Sequence, residues 1–261
     1  MKILVIPDVH LKPEMFDLAD AVNKNAYDNV VCLGDIVDDW NQENNQTLYE
    51  NTLERLLEFD KNHPEMLWCW GNHDVSYMYY KRETGFSVHM APIVGKYLAK
   101  MEDQIGERLA VIHKIDNTLF SHAGLCDEYV TRIFGEDSDP TIDEIIKKTN
   151  SFMEDRDVFD ELWHDDSPLW VRPFDGFGNF RYCTPMYKPA KFWQIIGHTP
   201  MEKPYASETF STNDTKNNKH GITKLQNYLA LDTFSTYRNH KPIGNQRLVI
   251  VDTVKNKWKY A

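Results

Sequence analysis

The chain has 261 residues, of which 41% are hydrophobic, 13% aromatic and 26% charged, with a formal charge of −11. Such a length can bury about three quarters of the unfolded surface, and the aromatic content argues against a disordered chain. The net acidity excludes a broad nucleic-acid surface built on clustered Lys and Arg, yet leaves room for a small phosphorylated ligand held by a local metal charge.

The first apolar run, residues 2–7, ends in Pro7 and Asp8. It is too short for a signal peptide or a membrane span, so a buried first strand in a cytoplasmic protein with no membrane partner is expected. Cys32, Cys69, Cys126 and Cys183 show no CxxC pairing and read as reduced thiols. Pro13 opens a helix whose apolar face is Met15, Leu18, Ala19 and Val22. Residues 29–33 form a second buried strand. A second helix over 46–60 carries Leu48, Thr52, Leu56 and Phe59 on one face. Residues 66–70 form a third strand, with Trp68 and Trp70 as core. This alternation predicts an α/β fold with a parallel sheet.

Residues 109–115 and 118–121 flank Asp116-Asn117 as a hairpin, and the pattern from 125 to 163 is helical, with a helix start near Pro140. Residues 165–190 read as a long ordered loop and 192–196 as a strand. Residues 207–220 read as a polar, mobile excursion, and 228–232 and 248–253 as closing strands. Nothing marks a linker, so a single domain over 1–261 is expected.

Five polar clusters follow these apolar runs: Asp8-Val9-His10, Gly34-Asp35-Ile36-Val37-Asp38, Gly71-Asn72-His73-Asp74, Ser121-His122 and Gly197-His198-Thr199. The carboxyl ends of strands are where open α/β sheets bind ligands. Each cluster alone reads as an ordinary turn. All five, in this order, resemble the calcineurin-like metallophosphoesterase superfamily, whose signature is DxH, GDxxD, GNH[DE], a lone His and a final GH. The pattern is most similar to the bacterial-type PPP serine/threonine phosphatase branch, and residues 167–173, Ser-Pro-Leu-Trp-Val-Arg-Pro, are similar to a segment of its members. Asp232-Thr233 after an apolar run also resembles their closing strand.

The resemblance implies a layered α/β/β/α sandwich with the active site at the carboxyl ends of the strands. It implies two divalent metal ions, Mn before Fe or Zn, which suit mixed oxygen and nitrogen donors. Asp8 and His10 would hold the first, Asn72, His122 and His198 the second, and Asp35 both. A hydroxide bridging the two ions would hydrolyse a phosphomonoester. His73 would protonate the leaving group, oriented by Asp38, and Arg172 would bind phosphate, with Arg181 a weaker candidate. A protein phosphoserine or phosphothreonine is the implied substrate. A dinucleoside polyphosphate or 2′,3′-cyclic nucleotide is the alternative, and a metal-bound module without turnover is a third reading that retention of His73 and Asp38 disfavours.

Two positions depart from the family. Leu11 stands where a Gly follows DxH, and Asp39 stands where an Arg clamps phosphate. The second change is expected to leave Arg172 alone against the phosphate, beside an extra carboxylate. His63 and His89 read as surface residues and His113 as a half-buried strand residue, while His164 and His240 are left without a role.

Overall fold

The computed structural model describes residues 1–155, 158–172, 192–211 and 223–261. Strands β1 (Lys2–Ile6), β2 (Asn29–Cys32), β3 (Leu67–Cys69) and β4 (Leu109–Ala110) run parallel and adjacent. On the other side of β1, β10 (Val249–Asp252) and β11 (Lys257–Tyr260) add antiparallel, completing a six-stranded sheet. A second sheet has the order β5 (Ile112–Ile115), β6 (Thr118–Ser121), β7 (Trp193–Ile196), β9 (Thr223–Ala230) and β8 (Tyr205–Ser211). Its central strands β6, β7 and β9 are also parallel.

Side-chain alternation sets the layers. Ile3 and Val5 of β1, with Val31, Leu33 and Cys69, pack against Phe120, Trp193, Ile195 and Leu229 of the second sheet. Leu4 and Ile6 point the other way, into a larger core with helices α1 (Glu14–Asp20), α2 (Gln46–Asn62) and α4 (Ala91–Ile105). Burying both faces explains why these strands are apolar throughout. Beyond the second sheet lie α5 (Asp127–Phe134) and α6 (Ile142–Ser151), whose Tyr129 and Ile145 share the core with Leu119. Helices thus cover both sheets in an α/β/β/α arrangement.

Local signals account for most element ends. Thr141 caps α6 by accepting from Glu144 N, and Glu144 returns a bond to Thr141 N, a reciprocal capping box. In α1 the buried residues are Met15, Phe16 and Ala19, whereas Leu18 is exposed, so Phe16 takes the place expected of Leu18. The apolar run 109–115 is not one strand. Val111 N and Ile112 N both donate to Asn150 Oδ1 of α6, which interrupts the ladder and sends β4 and β5 into different sheets. Residues 207–211, expected as a loop, belong to edge strand β8. Helices α3 (Asn72–Tyr79) and α4 were not anticipated. Most of the expected 165–190 loop, with Arg181 and Cys183, lies outside the described residues, while Cys32, Cys69 and Cys126 are buried. Among the described residues no helix is long and apolar enough to cross a membrane.

Asp60, 2% exposed on α2, ties the helical layer to the sheet. It accepts from Trp68 Nε1 at 3.0 Å, Gln104 Nε2 at 2.8 Å and Arg108 Nη1 at 2.7 Å. Burial alone would raise its pKa, but the Arg108, Gln104 and Trp68 donors outweigh it and hold it below the ordinary value. Replacing it by Ala leaves Arg108 unpaired, and a loss of about 3–5 kcal/mol is expected in urea unfolding at pH 7. Because the folded pKa is depressed, the stabilisation is complete above the unfolded carboxylate value of about 3.9 and is lost as pH falls through the folded value. The difference between wild type and Asp60→Ala should therefore shrink only below about pH 4.

Candidate metal centre and active site

The parallel strands of both sheets deliver their carboxyl ends to one edge. Asp8 follows β1, Asp35 follows β2, Asn72 opens α3 after β3, His122 follows β6 and His198 follows β7. The connecting turns are bound to each other through the backbone. Asp35 O accepts from Val9 N and His10 N, and Gly197 N donates to His122 O at 2.8 Å. His10, Asp35, Asp38 and His198 all have positive φ, between 44° and 66°. Such backbone costs about 1–3 kcal/mol per residue and persists only where its surroundings enforce it. Gly197 is required by a close approach: a Cβ there would lie 1.9 Å from Asp8 Oδ1.

Two groups of potential ligand atoms form, Asp8–His10–Asp35 and Asp35–His122–His198, each with its atoms within 4.8 Å of one another. They share Asp35. Its Oδ1 accepts from His73 N at 2.9 Å, while Oδ2 lies 3.6 Å from His10 Nε2 and 3.3 Å from His122 Nε2. His10 Nδ1 donates to the Asp38 carbonyl at 2.9 Å and His122 Nδ1 to the Leu33 carbonyl at 2.9 Å. Both tautomers therefore leave Nε2 as a lone-pair donor facing Asp35. Around His122 Nε2, Asn72 Oδ1 stands at 2.9 Å and His198 Nδ1 at 3.0 Å. His198 Nε2 is buried without a hydrogen-bond partner among the described residues.

The cluster requires positive charge. Asp8 is buried, and burial, with Asp232 next, pushes its pKa well up. Burial also works against the Asp35 anion, but His122 and His73 outweigh it and hold Asp35 well below the carboxylate range. Burial opposes protonation of His122, whereas Asp35 and Asp8 push it up to about 9. Four lone-pair atoms converging in a buried space are stable only around a proton or a cation. An imidazole, amide and carboxylate donor set fits a divalent transition ion.

His73 stands beside this centre, its ring 5.2 Å from that of His10, with Nδ1 3.1 Å from Asp38 Oδ2. Burial lowers its pKa, but Asp35 and Asp38 outweigh burial and raise it to about 9. Asp74 bonds Ile36 N and Gly71 N, so it secures the two glycine turns. A cavity of about 290 Å³ opens over His10, Asp35, Asn72, His73, Arg172 and His198. Arg172 Nη1 donates to the His198 carbonyl at 3.0 Å. The structure thus brings all nine expected site residues to one place.

Other residues there were not anticipated as part of the site. Glu83, Trp40 and Asp232 line the cavity, as does Trp170 from the segment 167–173 already singled out in the sequence. Asp232 is buried and accepts from Ser235 N and Oγ. Asp39 also lines it, but its carboxylate accepts from Lys12 Nζ at 3.3 Å, Thr236 Oγ1 at 3.1 Å and Trp40 N at 2.8 Å. Lys12 is itself 8% exposed. His164 and His240 are exposed and off the cavity, whereas His63, expected at the surface, is half-buried, stacked on Phe59 and bonded to Asp20. His113 Nε2 donates to the Trp68 carbonyl, and the residue is half-buried as expected.

The structure is similar to that of a cold-active protein-tyrosine phosphatase from the psychrophile Shewanella sp., at 16% identity and a TM-score of 0.51, over 99% of this chain and 80% of that one. A mutant of a cold-active protein tyrosine phosphatase gives 0.52 over the same shares at 16% identity. A metallophosphoesterase from Sphaerobacter thermophilus aligns at 14% identity and 0.46, over 100% of this chain and 87% of that one. At these identities the likeness to the two tyrosine phosphatase structures concerns the fold alone. The comparison with curated protein sequences finds no match. The family model of the calcineurin-like phosphoesterases matches residues 1–232, most of the chain; the chain belongs to that family of metal-dependent hydrolases.

Proposed function

We propose that this phosphoesterase hydrolyses phosphomonoesters at a dinuclear centre, with phosphoserine or phosphothreonine in proteins as its substrate class. The observation that carries the reading is the sharing of Asp35 by two separate ligand groups beside a His73–Asp38 pair. Asp8 and His10 would hold one divalent ion, Asn72, His122 and His198 the other, and Asp35 both, with Mn, Fe or Zn suited to the donors. When bound, such a pair supplies a hydroxide at neutral pH and offsets charge on the phosphoryl oxygens.

The chain's own groups do the rest. Arg172 lines the cavity and would orient the phosphate by charge-assisted hydrogen bonds. Asp38 holds the proton on His73 Nδ1, which leaves Nε2 to deliver a proton to the departing oxygen. Trp40 and Trp170 on the cavity wall favour a nucleotide, such as a dinucleoside polyphosphate or a 2′,3′-cyclic phosphate, as the second reading, since each offers an aromatic surface near the phosphate site.

Assays with Mn²⁺ on a phosphopeptide, a dinucleoside polyphosphate and a 2′,3′-cyclic nucleotide separate these readings. Turnover of only the nucleotides would replace the first by the second. His73→Ala should lower kcat on alkyl phosphates by about 10²–10⁴ with metal content intact, and by less on p-nitrophenyl phosphate, whose leaving group needs little protonation. Equal losses on both would contradict the acid role.

Lys12 changes the expectation for Asp39. With its charge balanced by Lys12, Asp39 joins three chain segments and adds no net repulsion to the phosphate. Lys12→Met/Asp39→Ala, which removes both charges together, should leave inhibition by inorganic phosphate within about twofold, whereas Asp39→Ala alone uncovers the Lys12 ammonium and should cost roughly 1.5–3 kcal/mol of stability. Inhibition tightening tenfold or more in the double variant would show that the carboxylate repels the ligand.

A further inference from the structure

Asp38 is 1% exposed, and its carboxylate has two distinct sides. Oδ2 faces His73 Nδ1 at 3.1 Å. Oδ1 accepts from two phenols, Tyr49 OH of α2 at 2.7 Å and Tyr77 OH of α3 at 2.5 Å. Both rings are buried, so no water replaces these donors. Ser87 N donates to Tyr77 OH at 2.8 Å, which occupies a lone pair there and commits the phenol's hydrogen to Asp38. Burial first, and Asp38 next, raise the pKa of both tyrosines, so they stay protonated donors.

The backbone at Asp38 is left-handed, φ 66°, and its carbonyl already receives His10 Nδ1. Regular secondary structure therefore does not set the direction of this side chain. We propose that Tyr49 and Tyr77 are positioning residues for proton transfer, clamping Asp38 Oδ1 so that Oδ2 holds the His73 imidazole toward the leaving oxygen. Neither phenol lines the cavity, so neither touches substrate. Without the hydroxyls, Oδ1 becomes a buried unsatisfied acceptor, and the carboxylate turns toward another donor. The inference rests on the acid role of His73.

The test uses Tyr49→Phe and Tyr77→Phe, which keep the rings and remove one oxygen each, in the full-length protein loaded with Mn²⁺. Each should lower kcat on an alkyl phosphate by roughly tenfold, with KM within about twofold, and have little effect on p-nitrophenyl phosphate. Bound metal should stay near wild type, and the thermal midpoint should fall by only several degrees, since each variant keeps one phenol on Oδ1. In an Asp38→Asn background, adding Tyr77→Phe should cause no further loss on the alkyl substrate, because both act through one carboxylate. Equal losses on the two substrates, or an undiminished loss in the Asp38→Asn background, would make the phenols packing groups and overturn the inference. His73→Ala run in parallel separates the two levels. Leaving-group-dependent loss in His73→Ala but none in the tyrosine variants overturns this inference alone; no such dependence in His73→Ala overturns the acid reading and this inference with it. Should Tyr77→Phe not fold, Tyr49→Phe gives the same comparison.

Discussion

The site depends on one buried carboxylate that is not allowed an ordinary partner. Asp35 is 2% exposed, stands on left-handed backbone and presents Oδ2 to two imidazole nitrogens from different sheets. Taking such a charge out of water costs several kcal/mol unless positive charge meets it. The two sheets can close over it because His10 and His122 each spend their Nδ1 proton on a backbone carbonyl. What faces Asp35 is then two Nε2 atoms that can take a proton or a metal cation, and a bound cation would replace the proton there.

Asp38 carries a comparable load three residues later. Its carbonyl orients His10, an expected ligand, and its carboxylate orients His73, the proposed acid. The hydroxyls of Tyr49 and Tyr77 bring α2 and α3 into the same network, and Gly85 packs on it, since a Cβ there would sit 3.3 Å from Asp38 Cβ. Helices that look remote from the chemistry thereby share in fixing it. The strain recorded at His10, Asp35, Asp38 and His198 is held by these cross-connections, as expected where backbone geometry serves a site.

Much of this was legible because ligands must follow strand ends. Asp8, Asp35 and Asn72 each come directly after a short apolar run, and strands buried on both faces cannot be mistaken for surface. The turn glycines were legible too, since Gly34 and Gly71 sit where two backbones touch. What was not legible depends on contacts between distant residues. Tyr49 lies in a helix whose spacing speaks only of core, and Tyr77 in one that was not anticipated. The Lys12–Asp39 pair joins residues 27 apart, so a lost Arg looked like a bare extra carboxylate. The split between β4 and β5 comes from Asn150, a side chain on another helix. The polar run 207–211 pairs as an edge strand by backbone bonds, which composition does not encode.

The account stands most directly on the number of cations that Asp35 serves. Elemental analysis and calorimetric titration with Mn²⁺, on wild type and Asp35→Asn, measure it without reference to any substrate. Two ions per chain in wild type, both bound more weakly in Asp35→Asn, is the expected result. A single ion with no second site at saturating Mn²⁺, or an Asp35→Asn variant that weakens only one of two, would contradict a shared carboxylate.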